Sequence, residues 1–395
     1  MPKLNRTHLT DLRGASLMAF DALAGVSGVV EQMHATIQRH PGPLGESRDQ
    51  PARGIAGLVY RIVHGGIRLV GAGVDALLSP IEQFFPAGGR TPGHEAWVAV
   101  ANGIYGDYLE RTANPLAIGM SLRYRNQAID VADPAAALRE AGSPPASSRL
   151  LVLVHGLCMN DLQWNRKGHD HGVALAAELG YSVLYLRYNS GLHVHENGQR
   201  FAQLLEGLIE NWPHPLDELS IIGHSMGGLV ARSACLHARE RKQAWLQHLR
   251  RLVFLGTPHL GAPLERSGNG LDFLLDLSPY SAPLTRAGRQ RSAGIKDLRH
   301  GAIAAGRAAL SALPVGVECY AAAATLAERR GLLASRLVGD GLVPLNSALG
   351  RHRDRSKALR IPKSHQWVGY EMGHLELLNR PEVYAQLKAW LCDRT

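Results

Sequence analysis

The chain has 395 residues with 45% hydrophobic content, enough for one large globular domain with an addition or two modest ones. Its 43 basic residues exceed the 34 acidic ones and give a net charge of +9, but the charge is dispersed, and no nucleic-acid-binding motif accompanies it. Cys158, Cys235, Cys319 and Cys392 are far apart and form no C-x-x-C pair, which excludes a zinc ribbon or a dense disulfide framework and suits a reducing compartment.

From the N-terminus, residues 8–38 carry apolar side chains at three- and four-residue spacing, as an amphipathic helix does. His40-Pro-Gly-Pro43 stops that pattern, and a second, glycine-rich apolar segment covers 54–82. A third helix is expected over 95–112. No signal-peptide core is evident, and no uninterrupted run of about 18 apolar residues suits a spanning helix. The expected location is therefore cytoplasmic. Residues 1–90 are read as an N-terminal helical layer, with peripheral contact at the inner membrane face as the alternative.

After Asn114 the texture changes. A short hairpin is expected over 121–131. Strands are then expected at 150–154, 182–187, 219–223, 251–255 and 316–323, with helices at 170–179, 197–212, 226–240 and 381–392. Apolar strands alternating with helices predict a mainly parallel sheet covered on both faces, an α/β fold. The expected division is residues 1–115 as a helical extension and 116–395 as the main domain. Residues 260–315 are too long for an ordinary connection and read as a cap or lid, with Leu271, Phe273, Leu274 and Leu275 offering apolar contacts to a substrate.

Residues 223–227 read Gly-His-Ser-Met-Gly, between an apolar run and a helix-forming one. A serine on such a strand-to-helix turn is held in a strained conformation with its hydroxyl exposed, which makes Ser225 a candidate nucleophile. It needs an acid and a base further along the chain. Asp340 lies in the turn Gly339-Asp-Gly-Leu-Val-Pro344, and His374 follows Gly373 ahead of the last helix. Chain order favours this pair, with Asp297 and Glu371, and His300 and His365, as competitors. An oxyanion hole is expected from the N–H groups of Met226 and of Leu157, in the loop after the first central strand, with the helix N-terminus at Met226 adding positive potential. His155, Gly156 and His224 border this region and are candidate substrate contacts. His169-Asp-His171 and His193-Val-His195 have spacings that suit no single helix face, so no metal is assigned; no cofactor is expected.

The motifs Leu153-Val-His-Gly156, Gly223-His-Ser-Met-Gly-Gly228, Leu255-Gly-Thr-Pro-His-Leu-Gly-Ala-Pro263, Gly339-Asp-Gly-Leu-Val-Pro344 and Gly373-His-Leu-Glu-Leu-Leu378 occur in that order. Over roughly 116–392 the chain resembles α/β-hydrolases of the bacterial triacylglycerol lipase group and the related GPI inositol-deacylase-like hydrolases. The resemblance implies Ser225 as nucleophile, Asp340 as acid, His374 as base, and carboxylic esters, including lipids, as substrates. The alternatives are an acyltransferase using the same triad, and a lipid- or membrane-binding protein with a vestigial one.

Overall fold

The computed structural model describes residues 10–20, 92–262, 292–305, 313–328 and 339–392. The expected second helix, most of the first, and the cap residues Leu271, Phe273, Leu274 and Leu275 lie outside these. The contacts divide the chain into two units, one of residues 1–91 with 111–116, the other of 92–110 with 117–395. Within the first, residues 10–20 are helical, and Asn114 Nδ2 donates to the Gly14 carbonyl at 3.1 Å.

The second unit is built on an eight-stranded sheet in the order β2-β1-β4-β3-β5-β6-β7-β8. The strands are β1 (Ser121–Tyr124), β2 (Gln127–Ala128), β3 (Arg149–Val154), β4 (Ser182–Arg187), β5 (Glu218–His224), β6 (Leu249–Leu255), β7 (Glu318–Thr325) and β8 (Gln366–Tyr370). The β1–β2 hairpin turns through Arg125 and Asn126, both at positive φ, and pairs antiparallel with β4; β4 to β8 and β3 run parallel. The five expected strands all form, and β8 is added. The latter was hidden because only one of its five residues is fully buried, so it lacks an unbroken apolar run.

Central strands covered on both faces must be apolar along their length. From Leu150 to Val154 every residue of β3 is buried. The helices are α1 (Pro92–Arg111), α2 (Pro134–Glu140), α3 (His171–Leu179), α4 (Val194–Glu210), α5 (Met226–Arg241), α6 (Ala293–His300), α7 (Leu345–Ala348) and α8 (Pro381–Cys392). Helix α4 buries Val194, Asn197, Phe201, Ala202, Leu205 and Leu208, a stripe at helical spacing, and packs on α5. Each large apolar side chain so buried contributes about 1.5–3 kcal/mol. The two helices approach so closely that a Cβ on Gly198 would stand 2.3 Å from Ser233 Oγ. This is an α/β architecture with a mainly parallel sheet.

The domain boundary differs from the expected one. Helix α1 belongs with the sheet, not with the N-terminal extension. Its Val98, Val100 and Ile104 are buried, and Asn102 accepts from the Ile118 N–H at 2.9 Å. A Cβ on Gly103 would meet Cys158 Sγ at 2.3 Å, and one on Gly106 would meet Asn189 Oδ1 at 1.9 Å. Small residues on one face let α1 seat directly on the loops after β3 and β4, a reason invisible to hydrophobic periodicity alone.

Candidate active site

Strand β5 ends at His224 and α5 begins at Met226, so Ser225 alone makes the turn. Its φ is 53° and ψ −123°, the strained backbone expected of a nucleophile elbow. The surroundings fix it there: Ser225 N–H donates to the Leu255 carbonyl at 2.8 Å, and Gly228 N–H to the Ser225 carbonyl at 3.1 Å. The flanking glycines are required by contact. A Cβ on Gly227 would lie 2.2 Å from the Val154 carbonyl oxygen, and one on Gly223 would lie 2.6 Å from Gly228 Cα.

The structure brings Asp340 and His374 together. The side chains are buried, and Nδ1 of His374 donates to Oδ2 of Asp340 at 2.6 Å. A carboxylate oxygen can only accept, so Nδ1 carries the proton and Nε2 presents a lone pair. The backbone adds a second tie, His374 N–H to the Asp340 carbonyl at 3.1 Å. The other carboxylate oxygen, Oδ1, accepts from Leu342 N–H at 3.0 Å and Val343 N–H at 2.8 Å. Asp340 therefore closes the Asp-Gly turn with one oxygen and holds the imidazole with the other; Gly341, at φ 98°, permits that turn. Two of the competitors have other partners. Asp297 bonds to His193, and His365 Nδ1 to the Cys319 carbonyl.

His374 and Ser225 share neighbours at one edge of the sheet. The ring of His224, next to Ser225, lies 4.7 Å from that of His374, and His224 Nε2 donates to the His374 carbonyl at 3.3 Å. Gly256 follows the residue that accepts from Ser225 N–H, and a Cβ there would meet His374 Cε1 at 2.9 Å. Nε2 of His374 is buried with no hydrogen-bond partner among the described residues, and so is Nδ1 of His224. Ser225 itself is buried, and a buried imidazole nitrogen without a partner is an atom able to accept a proton.

The loop after β3 is pressed against the elbow. A Cβ on Gly156 would stand 3.1 Å from Ser225 Cβ, a tight contact that the elbow would have to yield to accommodate. The rings of His155 and His224 face protein. His155 is stacked on Tyr188 at 4.3 Å, donates from Nδ1 to the Gly156 carbonyl, and accepts from Tyr188 N–H. Burial pushes its pKa down to about 4, and pushes that of His224 well below the ordinary value, with the neighbouring His374 adding to the effect. Both rings are buried beside the elbow, His155 with both nitrogens bonded and His224 with Nδ1 unpartnered among the described residues. Cys158 is a packed thiol whose pKa burial raises to about 12, which makes it inert.

Two parts of the site were missed from sequence. Gly256 backs the His374 ring, and Thr257 seats the elbow helix, where a Cβ on Gly228 would meet its Oγ1 at 2.0 Å. The Gly-Gly after Met226 and the Gly-Thr after β6 were the available signals.

Residues 144–301 match the family described as "Putative serine esterase (DUF676)". No functionally curated protein matches the sequence. Among solved structures, the chain is similar to the mature lipase BlEst2 of Bacillus licheniformis at 17% identity, covering 69% of this chain and 98% of that one, with a TM-score of 0.45. It is also similar to a thermophilic esterase from Thermogutta terrifontis (18% identity, 62% and 90% covered, TM-score 0.37) and to the phospholipase PlaB of Legionella pneumophila (14%, 51% and 45%, 0.34).

Proposed function

We propose that the chain is a serine hydrolase that cleaves carboxylic esters through an acyl-enzyme on Ser225. The observation that carries this reading is the buried Asp340–His374 pair, with an unpartnered Nε2, at the same sheet edge as a serine in elbow geometry. The serine-esterase match over 144–301 supports the same chemistry. In this mechanism His374 Nε2 accepts the Ser225 hydroxyl proton as Oγ attacks the ester carbonyl carbon. The carbonyl π pair moves to oxygen, and the N–H groups of Met226 and Leu157 stabilise the oxyanion. Collapse expels the alcohol, which takes the proton from His374. Water, activated by the same imidazole, then releases the acid and restores Ser225. Asp340 keeps the proton on Nδ1 and stabilises the imidazolium.

Residues 263–291, between β6 and α6, hold the apolar side chains assigned to acyl-chain contact, and residues 1–90 the segment assigned to an additional helical layer or membrane contact. No helix among the described residues is long and apolar enough to cross a membrane. Hydrolysis of p-nitrophenyl esters of graded chain length, by the wild type and by Ser225→Ala, tests the reading. Turnover in the wild type that disappears in the variant supports it, and unchanged turnover overturns it. The chain-length optimum reports the depth of the acyl pocket.

A further inference from the structure

We propose that His193, His195 and Asp297 form a binding site for one divalent transition cation, with Zn2+ the best match. The three side chains each direct one ligand atom into a common volume, all within 4.8 Å of one another. His193 precedes α4 and His195 is its second residue, so the H-x-H spacing works here because one ring sits on the cap and the other on the first turn. Asp297 arrives from α6, about a hundred positions later, and its Oδ2 accepts from His193 Nδ1 at 3.0 Å and from Val194 N–H at 2.9 Å. The two imidazole rings are 5.0 Å apart and tilted by 35°.

A tetrahedral zinc ion with bonds of about 2.0 Å holds its donor atoms about 3.3 Å apart. The His193–Asp297 pair already meets that spacing. The ring of His195 is half-buried, and closing the set requires it to bring its ligand nitrogen in from within 4.8 Å of the other two donor atoms. Metal capture needs the proton on His193 to reside on Nε2, leaving Nδ1 with a lone pair. Two imidazoles and one carboxylate favour zinc over magnesium or calcium, which take mainly oxygen ligands. Three protein ligands leave a fourth position for water.

The site ties α6 to the start of α4. Helix α6 is where the described chain resumes after 263–291, and its Gly294 N–H donates to the Gly191 carbonyl at 3.0 Å. A Cβ on Gly294 would stand 3.2 Å from Met226 Cε. An ion here clips the returning segment of the insertion beside the residue that follows Ser225.

The ring of His195 makes no hydrogen bond among the described residues, so His195→Ala removes a ligand and leaves the Asp297 contacts intact. The test uses the full chain freed of metal by chelator and titrated with ZnCl2 by calorimetry. The wild type is expected to bind one equivalent with a Kd of about 1 μM or tighter. His195→Ala and Asp297→Asn should each weaken binding about tenfold or more. Zinc should raise the thermal midpoint of the wild type and not that of His195→Ala, whose metal-free midpoint should equal the wild type's. Wild-type binding far below one equivalent overturns the proposal. So does undiminished binding by both variants, which would place the ion on other histidines, and so does equal affinity for CaCl2. The readout is binding and is independent of ester hydrolysis.

Discussion

The two ends of β5 treat polar groups in opposite ways. At the N-terminal end, Glu218 is surrounded. Its Oε1 accepts from Ser220 Oγ at 2.7 Å, Arg251 Nη1 at 2.7 Å and the Tyr181 hydroxyl, and its Oε2 accepts from Arg149 Nε at 3.1 Å. Burial pushes this carboxyl up, but hydrogen bonds from Tyr181 and Ser220 and the two guanidinium charges outweigh it and hold the pKa below the ordinary value. At the C-terminal end, seven residues along, the backbone is strained at Ser225 and the nearby His374 and His224 each keep one buried nitrogen without a partner among the described residues. Where donors and acceptors are matched, the polar cluster ties strands together. Where they are left unmatched at the cost of stability, the arrangement accords with the proposed hydrolase chemistry, which needs a free acceptor nitrogen near the serine.

The contrast predicts that the two ends separate activity from stability. Ser225→Ala should lower kcat for an activated ester by about 10^4- to 10^6-fold while leaving the urea midpoint near that of the wild type. Asp340→Asn should cost about 10^4-fold in kcat, because the amide can donate and so can hold the imidazole in the wrong tautomer. A pre-steady-state burst assay, read beside the unfolding curve, checks both. At the other end, Glu218→Gln should leave kcat within about twofold and lower unfolding free energy by about 3 kcal/mol, since Arg149 and Arg251 lose their charged partner. A large kcat loss in Glu218→Gln with normal stability would break the division.

A smaller effect concerns pH. Burial depresses the pKa of His155 and of His171 to about 4, against an ordinary 6.5. Such a group binds more protons when unfolded, so its stability contribution is complete above about pH 6.5 and is lost as pH falls toward about 4. Urea midpoints should therefore decline across that window. His171→Asn should flatten the decline, because protonation places a charge on a buried ring and turns Nδ1, which accepts from His169 Nε2 in the neutral ring, into a donor, while Nε2 donates to the Leu377 carbonyl in either state. An unchanged slope in that variant would remove His171 from the account.

Much of this was legible in the sequence where local rules suffice. The Gly-His-Ser-Met-Gly turn, the apolar central strands and the Asp-Gly turn are set by residues within a few positions of one another: glycines where a Cβ cannot fit, β-branched runs where both faces are covered, a short acid that closes its own turn. Packing decided the rest. Helix α1 has the periodicity of any amphipathic helix, and only the close contacts of Gly103 and Gly106 assign it to the sheet. Histidine and aspartate pairing is equally non-local. Asp297 and Asp340 were both open as partners of His374, and the fold gave Asp340 to His374 and Asp297 to His193. Residue identity and near-neighbour order were enough to mark the side chains capable of chemistry and the strained turn at Ser225. Which of them meet depends on the packed fold, because a hydrogen bond or a metal site needs atoms within a few ångströms and residue order does not measure that distance.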